Sequence, residues 1–151
     1  MITIFAIGKK HEEWVKLGIE RYEKRLKKPF DSDWTLLPHS AKEGLQARSL
    51  ESDAILSRIK ERDFVILLDE TGVMLDSPSL SVLLSKQFID ARNVVVIIGG
   101  AYGVDERIKN RADSIWSLSK LVFPHQLVRL LLIEQLYRSQ EIASSGSYHH
   151  I

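Results

Sequence analysis

Two short runs limit this chain more than anything else in it: Phe64–Leu68 (FVILL) and Val94–Ile98 (VVVII). Each has β-branched or large apolar side chains at every position, with no polar alternation. A strand with one wet face alternates, so strands of this kind have both faces covered, as in the parallel sheet of an α/β layer protein. The segments around them agree. Ile2–Ile7 (ITIFAI) closed by Gly8 reads as a buried strand, Asp33–Pro38 as a second strand and Ser114–Leu118 as a fifth. Helical spacing is expected over Glu12–Lys28, where Trp14, Leu17, Tyr22 and Leu26 offer an apolar face and Pro29 stops the helix. Further helices are expected over Ala41–Glu61, from Ser77-Pro78 to about Ala91, over Asp105–Asn110, and from Pro124 to about Ala143. Strands alternate with helices throughout, which predicts an α/β fold with a mostly parallel sheet and helices on both faces. No repeat or linker breaks the pattern, and 151 residues fit one domain spanning 1–151. The tail Ser144–Ile151 is small and polar and is expected to be mobile.

Composition removes several classes of function. With no cysteine there is no disulfide framework, zinc knuckle, Fe–S cluster or thiol nucleophile. The five histidines form no HExxH or similar ligand set, so no metal is expected. No apolar run reaches the ~18–20 residues of a membrane span and no signal-peptide pattern opens the chain, so no membrane contact and a cytoplasmic location are expected. Net charge is only +1, yet Lys9–Lys28 holds eight basic residues against four acidic ones. That segment reads either as a phosphate-attracting patch, with Lys9, Arg21, Lys24 and Arg25 prominent, or as a solvated face with Glu20–Lys24 and Glu23–Lys27 pairs.

Ligands of parallel α/β sheets gather beyond the carboxyl ends of the strands. Three loops qualify: Leu68–Gly72, Gly99–Gly103 and Ser119–Pro124. GGAYG is not the G-x-G-x-x-G of a dinucleotide fold, and it falls late in the chain. The last helix crowds Leu127-Val128 and Leu130-Leu131-Leu132-Ile133 around most of its circumference, so a second subunit is expected to cover part of it. Residue patterns alone thus reach an α/β domain with a small-ligand pocket and a dimer.

A longer set of motifs goes further: Leu68-Asp69-x-x-Gly72, Ile98-Gly99-Gly100-x-x-Gly103, Leu118-Ser119, Pro124-His125-Gln126-Leu127-Val128-Arg129, Glu134-Gln135-Leu136-Tyr137-Arg138, and Tyr148-His149. In this order, over essentially the whole chain, they resemble the ribosomal large subunit methyltransferase H (RlmH) family of the SPOUT class. The resemblance implies a SPOUT-type α/β knot, with a C-terminal trefoil around the cofactor. It implies a homodimeric enzyme that uses S-adenosyl-L-methionine (SAM) to methylate N3 of a pseudouridine in 23S rRNA of the assembled ribosome. The implied cofactor contacts are Leu68, Gly100, Ser119, Lys120, Leu121, Val122, Phe123 and Pro124. Tyr148 and His149, in a tail reaching over the partner's cofactor, and His125 are the implied catalytic side chains. Arg138 joins the basic segment as an RNA contact. Methyl transfer from a sulfonium is an in-line displacement that calls for no metal, while the imide N–H of the acceptor calls for a base. The tail departs from the family pattern: His150 stands where a basic residue is usual, and Gly146-Ser147 lacks the usual proline. The competing readings are a non-catalytic RNA-binding protein of the same fold and a nucleotide-binding enzyme of flavodoxin-like architecture.

Overall fold

The structure is a computed structural model that describes residues 1–150. The ten expected elements are present in the expected order: β1 (Ile2–Ile7), α1 (Glu13–Glu23), β2 (Ser32–Leu37), α2 (Gly44–Leu56), β3 (Phe64–Met74), α3 (Ser77–Ile89), β4 (Val94–Ile98), α4 (Glu106–Arg111), β5 (Ser114–Ser117) and α5 (His125–Ala143). The strands form one sheet in the order β2-β1-β4-β3-β5, and every pairing is parallel.

The apolar runs do what their composition requires. Along β4, Val94, Val96 and Ile98 enter the core shared with α1, α3 and α5, while Val95 and Ile97 enter the core beneath α2 and α4. Ile66 and Val65 divide in the same way on β3. Both faces are dry, so a polar residue at any of these positions would lack water and a partner alike.

Three elements differ from the sequence-based expectation by more than two residues, each for an identifiable reason. Helix α1 ends at Glu23 rather than Lys28, because Gln140 of α5 takes over the backbone beyond it: Lys27 N donates to Gln140 Oε1 at 2.7 Å and Gln140 Nε2 donates to Arg25 O at 2.9 Å. Helix α2 is shorter than Ala41–Glu61, starting at Gly44 (φ +58) and giving way to turns after Leu56. Strand β3 runs on to Met74 rather than stopping at Leu68. Leu68 and Val73 both register against Trp116 of β5, so Asp69–Gly72 bulges out between them. Gly72 makes the return possible, since a Cβ there would stand 2.5 Å from Ile115 O.

The buried faces of two helices also differ. On α1 it is Val15 and Ile19 that enter the core, while Trp14 and Leu17 are 53% and 60% exposed. On α5, Leu132, Ile133 and Leu136 are fully covered within the subunit, while Leu127, Val128, Leu130 and Leu131 of the apolar run stay partly exposed. Neither ion pair expected on α1 forms among the described residues; Glu23 instead accepts from Trp34 Nε1 at 2.8 Å and Ser32 Oγ at 3.3 Å.

Candidate functional site

The bulge in β3 and the ends of β4 and β5 bring the three glycine- and serine-bearing segments to one edge of the sheet. Between them lies a cavity of about 340 Å³. Leu68, Asp69 and Glu70 line it from the β3 bulge, Gly99, Gly100, Ala101 and Gly103 from the loop after β4, and Ser117–Ser119 and Leu121–Phe123 from the loop after β5. Of the expected cofactor contacts, Leu68, Gly100, Ser119, Leu121, Val122 and Phe123 meet here, together with His125; Lys120 and Pro124 stand outside the lining.

Each segment is held by its own hydrogen bonds or by a neighbouring helix. Asp69 Oδ1 accepts from Thr71 N at 2.9 Å and Thr71 Oγ1 at 2.6 Å, which closes the bulge on itself. In the third loop, Ser117 Oγ donates to Ser119 O at 3.0 Å, and Leu121 N donates to Ser119 Oγ at 3.0 Å. The Gly99–Asp105 segment is gripped by α2: Arg48 Nε donates to Tyr102 O at 2.9 Å, Asp105 N donates to Ser52 Oγ at 3.1 Å, and Glu51 lies beneath Gly100. Glu51 is only 4% exposed; its Oε2 accepts from Ser40 N at 3.0 Å, and its Oε1 has no hydrogen-bond partner among the described residues. Arg48, Glu51 and Ser52 went unnoticed in the sequence, because one glutamate on a helix looks like any solvated glutamate.

The cavity suits a nucleoside. Leu68, Ile98, Leu118, Phe123 and Val128 give apolar walls, and the loop backbones give donors and acceptors along them. Trp116, which sequence reasoning also missed, supplies a buried indole N–H with no partner among the described residues. The residue lines this cavity and also a second one, bordered by Leu75, Asp76, Pro78, Leu131, Gln135 and His149, which shares Trp116, Leu118 and Phe123 with the first.

Two imidazoles, those of His125 and His11, are shifted downward, chiefly by burial. His125 is held below the ordinary histidine range by partial burial, then by the charges of Arg129 and His39, against an opposing hydrogen bond with the Gly99 backbone. His11 is lowered too, by burial and then by Arg129. Near neutral pH both rings therefore favour the uncharged form, which can accept a proton.

Residues 144–150, expected to be mobile, fold back on α5. The Tyr148 ring packs edge-on against Tyr137 (centroids 4.8 Å apart) and lies under the Arg138 guanidinium at 4.7 Å; its hydroxyl donates to Glu134 Oε1 at 3.2 Å. Burial, the Tyr22 hydroxyl and Glu134 all raise the Tyr148 phenol, so it stays protonated. Arg138 is engaged by Glu134 through two bonds of 3.0 and 2.6 Å and lies 3.2 Å from His149 Nδ1, so it is no free phosphate contact in this arrangement. Lys9, Arg21, Lys24 and Arg25 are all exposed. Among the described residues, no cluster of acidic, histidine or cysteine side chains could hold a metal, and no helix is long and apolar enough to cross a membrane.

Known proteins resemble this chain in sequence. Residues 1–149 match the family model described as "Predicted SPOUT methyltransferase". Relatives named ribosomal RNA large subunit methyltransferase H include one from Acetivibrio thermocellus, 37% identical over 98% of both chains. The relative from Saccharophagus degradans is 38% identical over 98% of both, and the one from Christiangramia forsetii is 37% identical over 99% of this chain and 98% of its own. With both the family pattern and full-length relatives in agreement, the chain belongs to the SPOUT methyltransferase family, among the ribosomal RNA large subunit methyltransferases H.

Proposed function

We propose that this protein is a homodimeric, SAM-dependent rRNA methyltransferase that modifies N3 of a pseudouridine in 23S rRNA of the assembled ribosome, in the cytoplasm. The observation that carries the reading is the cavity at the carboxyl edge of the sheet. It is built from the three loops that the motifs single out, and it has apolar walls and backbone polar groups of the kind an adenosine needs. The relatives' names supply the substrate class.

When bound, SAM supplies an electrophilic methyl group on a sulfonium. The chain's own part is to hold, align and exclude water. Leu68, Ile98, Leu118, Phe123 and Val128 would enclose the nucleoside, and the Ser119–Pro124 backbone would read its polar edges. Trp116, on the wall of both cavities, would add an apolar ring face to that enclosure. The N3 proton of the acceptor must leave as the nitrogen attacks. His125, at the cavity rim and biased to its neutral form, can accept it; His149, on the wall of the adjoining cavity, is the other candidate.

The proposed dimer seam runs along α5, whose Leu127, Leu130 and Leu131 remain partly exposed, as do Leu121 and Val122 ahead of it. Tyr148 is anchored on that same helix, so His149 would stand at the seam, within reach of the partner's cavity. Mass spectrometry of 23S rRNA from a strain lacking the gene tests the assignment. Loss of one methylated pseudouridine is expected; an unchanged level refutes the substrate. Titration with S-adenosylhomocysteine separates the enzyme from a non-catalytic RNA-binding relative, which would show no binding.

A further inference from the structure

Every edge of the Arg138 guanidinium is engaged. Its Nε and Nη2 donate to Glu134 Oε1 at 3.0 and 2.6 Å, and its Nη1 stands 3.2 Å from His149 Nδ1. The Tyr148 hydroxyl donates to the same Glu134 oxygen at 3.2 Å, so the residue before His149 is fixed on the same pair. A guanidinium has N–H donors and no lone pair to share. Only one hydrogen bond is therefore possible across the Arg138–His149 contact: Nη1 donates and Nδ1 accepts. An imidazole that accepts at Nδ1 carries its proton on Nε2. The other neutral tautomer and the imidazolium would each set an N–H against an N–H. Arg138, Glu134 and His149 belong to one chain, so the choice of nitrogen is made before any partner or RNA arrives.

His149 lines the second cavity, of about 680 Å³, which adjoins the donor cavity through Trp116, Leu118 and Phe123. Gln135 lines it too, and Glu134 orients that side chain as well. Gln135 Nε2 donates to Glu134 Oε2 at 2.6 Å, while its Oε1 accepts from Ser77 Oγ at 2.7 Å. One carboxylate thus sets two polar side chains of a cavity whose other walls include Leu75, Pro78 and Leu131. A chamber with apolar walls and a few fixed polar groups suits a flat heterocycle. What these two side chains have left to offer is of one kind: the Nε2–H of His149 and the second N–H of the Gln135 amide are both donors.

We propose that Glu134 and Arg138 are positioning residues that lock His149 in its Nε2–H tautomer, so that it donates a hydrogen bond to a ring carbonyl of the acceptor base in the second cavity. The inference rests on the RNA-methyltransferase reading and decides between its two candidate imidazoles. As the imide of the acceptor loses its N3 proton, negative charge spreads onto the two flanking carbonyl oxygens, and a donor already fixed beside one of them stabilises that charge. Accepting the proton is the part His149 cannot play. Its Nε2 has no free lone pair, and a proton on Nδ1 would break the Arg138 bond and set two cations in contact. That task falls to His125, on the wall of the donor cavity.

Two readouts on the full-length chain test the proposal. In the first, ring-nitrogen NMR shifts report which nitrogen of each neutral histidine carries the proton, with the exposed His150 as the unconstrained reference. Wild-type His149 should be wholly in the Nε2–H form, and Arg138→Met should return it to the tautomer mixture of His150. The same mixture for His149 and His150 in wild type overturns the lock. In the second, methylation of ribosomes lacking the modification is followed beside titration with S-adenosylhomocysteine. A glutamine places an amide N–H close to where Nε2–H stood but cannot accept a proton. His149→Gln should therefore keep kcat within about tenfold of wild type, whereas His149→Ala should lose about a hundredfold, both with S-adenosylhomocysteine affinity within about twofold. Residue 149 lies beyond the last helix, so neither substitution threatens the fold. His149→Gln as inactive as His149→Ala would make His149 the proton acceptor and overturn the proposal, and so would an alanine variant as active as wild type. If wild type shows the locked tautomer but does not methylate ribosomes, the RNA reading fails and the acceptor role with it, while the lock stands.

Discussion

The contact between Glu51 and Gly100 gives the account a quantitative test. A Cβ on Gly100 would stand 2.8 Å from Glu51 Oε1 and 3.0 Å from Ile7 Cγ2. An unstrained C···O contact is about 3.3 Å or longer, so Gly100→Ala forces a retreat of roughly half an ångström. The carboxylate cannot swing aside freely, being buried and tied to Ser40 N. The methyl group points towards α2 rather than into the cavity, so any loss of donor binding must come from displacement of the loop and not from blockage. Overpacking of this kind costs about 1–3 kcal/mol, and each kcal/mol lowers Tm by roughly 2–4 °C in a domain of this size. Donor affinity should fall about tenfold, which is about 1.4 kcal/mol. Glu51→Ala alone leaves Ser40 N unpaired, at about 1 kcal/mol. In the double variant the Glu51 contact is gone and only the tight contact with Ile7 Cγ2 remains, so its destabilisation should be smaller than the sum of the singles by about 1–2 kcal/mol, and donor affinity should recover in part. Urea denaturation and calorimetric titration with S-adenosylhomocysteine measure both quantities. Additivity within about 0.5 kcal/mol, or unchanged donor affinity in Gly100→Ala, would refute the view that α2 sets the position of the loop.

Other consequences follow from the tail, the seam and the imidazoles. Deleting residues 147–151 should leave S-adenosylhomocysteine affinity within about twofold while lowering turnover at least a hundredfold; a fully active truncated enzyme would remove the tail from the site. Leu131→Glu should shift sedimentation from dimer towards monomer, because a charge enters a desolvated seam, and an unchanged dimer would move the interface elsewhere. Leu132 is unsuitable for that test, since it is completely buried in its own subunit and a charge there would unfold the chain. His11 and His125 titrate below their unfolded value of 6.5. The unfolded chain therefore binds more protons just below that pH, and the stability present above pH 6.5 is lost as pH falls towards the folded values. Denaturation midpoints should decline on acidification from pH 6.5, and the decline should be shallower in His11→Asn. An identical slope in that variant would contradict the assignment.

What could be read from the sequence depended on how local the cause was. VVVII and FVILL declare two-sided burial by themselves, and the sheet they imply is the one found. The three loops were legible because glycine and serine after an apolar run have few other uses at a sheet edge. Trp14 and Val15, by contrast, are neighbours on a helix with apolar residues also at positions 17 and 19. Two stripes were available, and only packing against α5 selects Val15 and Ile19. The end of α1 depended on Gln140, more than a hundred residues away. The β3 bulge required knowing that Gly72 passes the β5 backbone. Glu51 carried no local mark, because what sets it apart is the partner it lacks. The apolar girth of α5 was partly misread for a related reason: the subunit's own core covers Leu132, Ile133 and Leu136, so fewer residues than expected are left for a second copy.

The central claim is that the bulge in β3 and the loops after β4 and β5 form the methyl-donor site of this chain. A crystal structure of the full-length protein with S-adenosylhomocysteine tests it most directly. The account predicts density for the nucleoside between Leu68, Gly100 and the Ser119–Pro124 backbone, against Leu118 and Phe123. Density for the ligand at any other place on the molecule would contradict it.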